Sequence, residues 1–255
     1  MAYNKKTFTN SNDTSLNARD ELFESYENYN APKDEKERSL ALFLRGSQLA
    51  RILAIQEIYK EILNIPGAIF DLGTWRGTTP VLCENFRAIY EPLNFQRHIY
   101  AFDTFEGYKG FEKEENKVSD INNGKYGVEE SYEHTLEKIL ILHEQNNAMG
   151  HINEKHQVIK GDVTQTVPLL LNENPGLSIA LAFFDLNCYK PTKESLQLII
   201  NRLLNGGIIA FWQFNRKEIQ AESELFFELL HSNINYTIHK CETYPSLIYI
   251  KKKEK

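Results

Sequence analysis

Ile69-Phe70-Asp71-Leu72-Gly73-Thr74-Trp75-Arg76-Gly77-Thr78-Thr79 is the stretch on which the fold turns. The apolar run at 68–72 reads as a short buried strand, and 78–90 reads as a helix. Between them lies D-x-G-x-x-x-G. A strand that ends in an acid and turns through glycine into a helix opens a parallel sheet, and such sheets bind ligands at the carboxyl ends of their strands. Gly73 can adopt positive φ and admit a ligand to the backbone, while Gly77 lets the helix lie close to the strand. The plainer alternative is an ordinary turn whose glycines serve packing alone.

Outward from this unit the alternation continues. Strands are expected at 99–102, 157–159, 177–184 and 208–211, with helices at 132–143, 167–171, 192–204 and 219–230. Asn205-Gly206-Gly207 is expected to cap the helix before 208. Continuous apolar strands between helices mean an α/β fold: a Rossmann-like, mostly parallel sheet with helices on both faces. Runs at 236–238 and 247–250 are too close for a helical crossover, so they predict an antiparallel last strand at the sheet edge. Upstream, apolar residues recur in three- and four-residue steps over 39–63, predicting one long amphipathic helix that stops at Ile65-Pro66-Gly67. Residues 1–38 read as a polar, partly helical arm preceding a single domain over 39–255. The Gly-, Asn- and Glu-rich stretch 107–133 has little period and is expected to form a loop or lid over an acceptor.

Composition limits the partners. Of 255 residues, 35 are acidic and 29 basic, a formal charge of −6. That balance speaks against nucleic acid, where affinity comes chiefly from Lys and Arg on phosphates. No run approaches the 18 apolar residues of a membrane span, and residues 1–6 have no apolar run behind them, so no signal peptide is expected. Cys83, Cys188 and Cys241 have neither disulfide-framework nor zinc spacing, which fits reduced thiols in a cytoplasmic protein. Self-association is compatible with the sequence.

Two cofactor classes compete for the first turn. A dinucleotide needs G-x-G-x-x-G and a pyrophosphate-tolerant strand end. This turn has one glycine too few, and Asp71 would repel pyrophosphate. The same carboxylate suits S-adenosylmethionine, which carries an ammonium and a sulfonium. The second strand ends at Asp103, 26 residues after Gly77, where an acid takes ribose hydroxyls. The third ends at Asp162-Val163, an acid for the adenine amine and a backbone N–H for a ring nitrogen. Candidate cofactor residues are therefore Asp71, Gly73, Thr74, Gly77, Asp103, Thr104, Asp162 and Val163.

At the fourth strand end, Phe183-Phe184-Asp185-Leu186-Asn187-Cys188-Tyr189-Lys190-Pro191-Thr192, the chain resembles the macrocin O-methyltransferase family of class I methyltransferases. More closely, it resembles members attached to bacterial surface-polysaccharide pathways, such as capsule or lipopolysaccharide. Ile65-Pro66-Gly67, the Asp71–Gly77 turn, Phe102-Asp103-Thr104-Phe105-Glu106-Gly107, Gly161-Asp162-Val163, Tyr189-Lys190-Pro191-Thr192 and the strand from Gly206 to Phe211 carry the resemblance, from about residue 40 onward. It implies seven strands, S-adenosylmethionine as donor with S-adenosylhomocysteine as product, and a sugar hydroxyl as acceptor, here a nucleotide-linked sugar. It also implies a divalent metal, typically magnesium, held by the first acid of D-x-D-x-Y and two acids after the fifth strand.

This chain keeps Asp185 but has Asn187 for the second acid, linked in the family to general-base work, and Trp212-Gln213 for the pair. One carboxylate with amide oxygens is a poor magnesium site, so metal-free chemistry is expected. An amide cannot take a proton near neutral pH, so the base must lie elsewhere. Asp185 and His134 are the candidates. An amine or carboxylate acceptor, needing chiefly positioning, is a second reading. A donor-binding partner protein without turnover is a third. Trp212 reads either as the floor of an acceptor pocket or as a core aromatic. Tyr189 and Asn187 are candidate acceptor contacts, and Arg76 reads as a clamp for an acidic group or as a solvated residue.

Overall fold

The computed structural model describes residues 12–109, 124–147, 154–217, 219–231 and 234–254. The chain divides into two compact units, 1–51 and 52–255. In the first, α1 (Asp13–Glu27) starts where the Asn12 side chain accepts the Ser15 N–H at 2.9 Å. A short α2 (Lys33–Arg38) leads into a 3₁₀ turn, Leu40–Phe43, and the Tyr26 and Tyr29 rings stand edge-on to Phe43. The single helix expected over 39–63 is broken here. Leu44 adopts extended geometry (φ −81°, ψ 108°), and α3 runs only over Gly46–Glu61. The local cause is Gly46, a poor helix former that an unbroken helix would hold in its interior.

The second unit alternates β1 (Ala68–Leu72), α4 (Thr78–Tyr90), β2 (Ile99–Asp103), α5 (Tyr132–Asn146), β3 (His156–Lys160), α6 (Val163–Glu173), β4 (Ile179–Phe184), α7 (Tyr189–Arg202) and β5 (Leu203–Phe211). Then come α8 (Ala221–Leu225), continued by a π-helical turn Phe226–Leu230, and β6 (Tyr236–Lys240) and β7 (Ile248–Lys252). These make one seven-stranded sheet in the order β3-β2-β1-β4-β5-β7-β6. The first five strands are parallel, and β7 is antiparallel to both its neighbours. The last strand is thus antiparallel as expected, but β7 sits between β5 and β6, so β6 forms the edge.

The expected cap at Asn205-Gly206-Gly207 lies inside β5 instead. Ile179 pairs with Leu203 and Leu181 with Ile208, so two steps on β4 face five on β5 and the strand bulges there. Strand alternation splits the core. Phe70, Leu72, Phe102, Phe184, Ile209 and Phe211 face one side. Ile69, Leu181, Phe183, Ile208, Ala210 and Trp212 face the other. Each such aromatic or branched side chain contributes about 1.5–3 kcal/mol by leaving water, which makes the sheet a rigid base. The chain reverses direction across the sheet between β1 and β4, so the ends of β1, β2, β4 and β5 converge on one crevice.

Candidate functional site

The β1–α4 turn is locked by its neighbours. Gly73 and Thr74 donate N–H groups to the Phe102 carbonyl at 2.9 and 3.1 Å. Asp71, 1% exposed, is the penultimate residue of β1. Gly73 (φ +87°) has the Asp185 backbone against it: a Cβ would lie 2.6 Å from that carbonyl oxygen. The close approach is made by the backbone just beyond β4, at Asp185 and Leu186. Gly77 (φ +80°) would place a Cβ 2.1 Å from Cδ1 of Leu136 on α5, so it accommodates a neighbouring helix rather than the strand. The Thr74 hydroxyl is buried with no hydrogen-bond partner among the described residues.

Asp103 ties two turns together. One carboxylate oxygen accepts the Trp75 N–H and the other the Phe105 N–H, both at 2.7 Å. Burial raises its pKa, and the charge of Asp185 adds to the rise, against the backbone N–H groups that lower it. The Thr104 hydroxyl donates to the Gly107 carbonyl at 2.9 Å and accepts the Glu106 N–H, which shapes the loop start. Asp162 caps α6, accepting from the Thr164 N–H and hydroxyl at 2.9 and 2.8 Å, and Val163 is buried behind it. Arg76, one of the open questions, is engaged: its guanidinium makes a two-point contact with Glu129 at 3.1 and 2.8 Å.

Asp185 stands one residue beyond β4, its N–H on the Leu72 carbonyl at 2.9 Å. Three amide contacts surround it. Gln213 Nε2 donates to Oδ1 at 3.1 Å. Asn187 Nδ2 reaches Oδ1 at 3.4 Å and the Asp185 carbonyl at 3.3 Å, and donates to the Tyr108 hydroxyl at 2.7 Å. Asn187 holds this position at φ 62°, which Asn tolerates better than most residues. Burial, and then the charge of Asp185, push the Tyr108 phenol well above its usual range, so it stays protonated. Tyr108 is delivered by the loop base, where Tyr108 N–H meets the Lys125 carbonyl at 3.0 Å and Gly124 N–H meets the Tyr108 carbonyl at 2.8 Å. Its ring stands edge-on to Tyr126, which in turn stands edge-on to Trp75. Residues 110–123 of the expected lid lie outside the described residues.

The orientation of Gln213 follows from its neighbours. Arg216 Nη1, which can only donate, lies 2.9 Å from Gln213 Oε1, so the amide nitrogen must face Asp185. A magnesium ion needs oxygen ligands; Asp185 Oδ1 meets N–H groups, and the oxygen beside it is the amide Oδ1 of Asn187, buried with no hydrogen-bond partner among the described residues. One carboxylate beside two amides is a poor donor set for magnesium.

Three sequence candidates fall elsewhere. Trp212 is fully buried, stacked on Phe183 at 6.1 Å and edge-on to Tyr244 at 5.2 Å, so it belongs to the core and not to a pocket floor. Tyr189, the first residue of α7, turns toward the π-helical turn and donates its hydroxyl to Glu228. His134 lies on α5 with its side chain 77% exposed, 3.9 Å from Glu137. Neither joins the Asp185 cluster in the hydrogen bonds described. Tyr108, Arg216 and Glu222 were not anticipated. Glu222 had a readable signal: with Leu225, Phe226 and Leu229 it occupies the i, i+3, i+4 and i+7 positions of one buried stripe. Burial first, and the Asp185 charge second, hold its pKa well above the usual carboxylate range.

The family model for macrocin-O-methyltransferase (TylF) matches residues 8–239. Among solved structures, the calicheamicin methyltransferase CalS11 is similar at 30% identity and TM-score 0.90, over 96% of this chain and 95% of that one. The apo form of the same enzyme, described as a TDP-rhamnose 3'-O-methyltransferase of calicheamicin biosynthesis, matches at 29% identity and TM-score 0.83, over 96% of each chain. The O-methyltransferase NovP shares the fold at 13% identity and TM-score 0.58, over 80% of each chain. A search of curated proteins returned no match.

Proposed function

The chain belongs to the macrocin-O-methyltransferase (TylF) family and is an S-adenosylmethionine-dependent methyltransferase, and we propose that it methylates a hydroxyl of a nucleotide-linked sugar without a metal ion. The observation that carries the metal-free part is the Arg216–Gln213–Asp185 chain, which presents N–H groups where a cation would need oxygens. The similarity to a TDP-rhamnose 3'-O-methyltransferase over nearly the whole chain supports the acceptor class. Placement in capsule or lipopolysaccharide synthesis rests on the sequence resemblance alone. Three buried free cysteines fit a reducing cytoplasm. Among the described residues no helix is long and apolar enough to cross a membrane.

The residues present fit the donor. Bound S-adenosylmethionine supplies an activated methyl group on a cationic sulfur. Asp71, beneath the glycine turn, favours that positive charge. Asp103, with both oxygens already fixed by backbone N–H groups, would accept the ribose hydroxyls without reorganising. Asp162 and the Val163 N–H would take the adenine edge, and the buried Thr74 hydroxyl offers a further polar contact.

Asp185 would take the acceptor proton as the new oxygen–carbon bond forms and the carbon–sulfur bond breaks. Tyr108 would donate to the sugar from the loop side. Trp75 and Tyr126 supply flat faces for a sugar ring. Asn187, which cannot act as a base, keeps a second reading in play in which an amine or carboxylate is methylated. Incubation with S-adenosylmethionine and a panel of nucleotide deoxysugars, amines and carboxylates, read by mass spectrometry, decides between them. A methyl-mass gain on a nucleotide sugar is expected. A gain confined to amines or carboxylates would overturn the sugar reading.

A further inference from the structure

Gln213 engages its backbone N–H and both polar atoms of its side chain, each with a different residue. Its backbone N–H donates to Glu222 Oε2 at 2.8 Å. Its side-chain oxygen accepts from Arg216 at 2.9 Å, and its amide N–H donates to Asp185 at 3.1 Å. Glu222 comes from α8, is fully buried, and reaches back nine residues to do this. Its second oxygen has no hydrogen-bond partner among the described residues. An acid at such a position is costly to bury. Packing alone would be served as well by Leu or Met, so the position calls for a reason.

We propose that Glu222 and Arg216 clamp Gln213 as a positioning residue, which fixes Asp185 toward the acceptor hydroxyl. The geometry makes the clamp specific. The backbone contact sets where the 212–216 turn begins, and the guanidinium sets which way the amide faces. Together they aim the Gln213 amide N–H at Asp185 Oδ1. The positive charge of Arg216 then lies one amide away from Asp185, on the side where a cation would otherwise neutralise it. Neither Glu222 nor Gln213 need touch substrate for this. The inference rests on the metal-independent reading above.

The test uses Gln213→Leu, Glu222→Ala and Glu222→Gln in the full chain. Measurements are kcat, acceptor KM and calorimetric affinity for S-adenosylmethionine, all in EDTA. Gln213→Leu removes both side-chain bonds. Glu222→Ala leaves the Gln213 N–H unmet, whereas Glu222→Gln restores an oxygen acceptor there. A hydrogen bond to a charged group of ordinary strength corresponds to a kcat loss of about tenfold to hundredfold. That loss is expected for Gln213→Leu and Glu222→Ala, with donor affinity unchanged, and Glu222→Gln should recover most of it. A merely structural role would lower the folded fraction without this split or this rescue. Should Glu222→Ala fail to fold, Gln213→Leu, at a half-buried position, carries the test alone. An EDTA-resistant wild type whose Gln213→Leu variant turns over normally would overturn the clamp. A wild type that is inactive until magnesium is added would instead overturn the metal-free reading on which it rests.

Discussion

Replacing Gly73 and Gly77 by alanine, one at a time, separates the two tasks of the β1–α4 turn. Both residues have positive φ, +87° and +80°, so each alanine meets a left-handed backbone penalty of about 1–2 kcal/mol. Loss of glycine's freedom in the unfolded chain offsets about 0.4–1 kcal/mol of that. Beyond this shared cost the two positions diverge. At Gly73 the added Cβ lies 2.6 Å from the Asp185 carbonyl oxygen and 2.8 Å from its carbon. Comfortable contact begins at about 3.5 Å, so turn or strand end must move by roughly 1 Å. Backbone on both sides cannot rotate away, and overpacking of this kind adds about 1–3 kcal/mol.

The expected loss for Gly73→Ala is therefore about 1–5 kcal/mol in urea unfolding. Because the displaced atom belongs to Asp185, kcat should also fall by about a hundredfold, the usual result of a 1 Å misplacement. At Gly77 the obstacle is the end of the Leu136 side chain, 2.1 Å away, which can turn aside. Gly77→Ala should destabilise the fold yet leave kcat near wild type. Combining it with Leu136→Ala should cost less than the sum of the two, by more than about 0.5 kcal/mol. A Gly73→Ala protein with wild-type kcat, or strict additivity at 77 and 136, would refute the reasoning.

Other outcomes rest on the same geometry. Asp103→Asn should weaken S-adenosylmethionine binding by about tenfold, as loss of a charge-assisted bond does. In wild type the affinity should decline as pH falls through the raised pKa of Asp103, because the protonated acid accepts less well, and calorimetry across acidic pH checks both. Glu222→Gln should be more stable than wild type at neutral pH. Burial raises the folded pKa of Glu222 above that of the unfolded chain, which releases the proton above about pH 4.3, so wild-type stability falls with rising pH between the two. The gap in unfolding free energy should widen by about 1.4 kcal/mol per unit until the folded pKa is reached, and a gap that narrows would contradict the assignment. Asp185→Asn should lower kcat by about 10²–10⁴, the ordinary worth of a general base, with donor affinity intact.

The parts of this molecule that are local in sequence were readable from it. The D-x-G-x-x-x-G turn and the acids at 71, 103, 162 and 185 each follow from a few adjacent residues, and the parallel direction of the first five strands follows from the alternation of apolar runs with helices. Trp212 shows where alternation could have been pressed further. Period two places it on the face of Ile208 and Ala210, in the core, and leaves Gln213 to emerge beside Asp185. Tyr189 follows the strand closely, but it opens α7, so its side chain goes with that helix toward Glu228. The helix break at Leu44 had one local signal, Gly46, which an unbroken helix over 39–63 would hold in its interior. Tyr108 and Asn187 meet across 79 residues, and Asp185 and Gln213 across 28. No period or motif encodes such pairs, which exist only once the sheet is assembled.

Methyl transfer to nucleotide sugars by EDTA-dialysed protein, with and without added magnesium, tests the central claim most directly. Full turnover that magnesium does not raise is predicted, because Gln213 and Asn187 turn N–H groups toward Asp185 Oδ1, where a cation would need oxygens. Turnover lost on dialysis and restored by magnesium would contradict it.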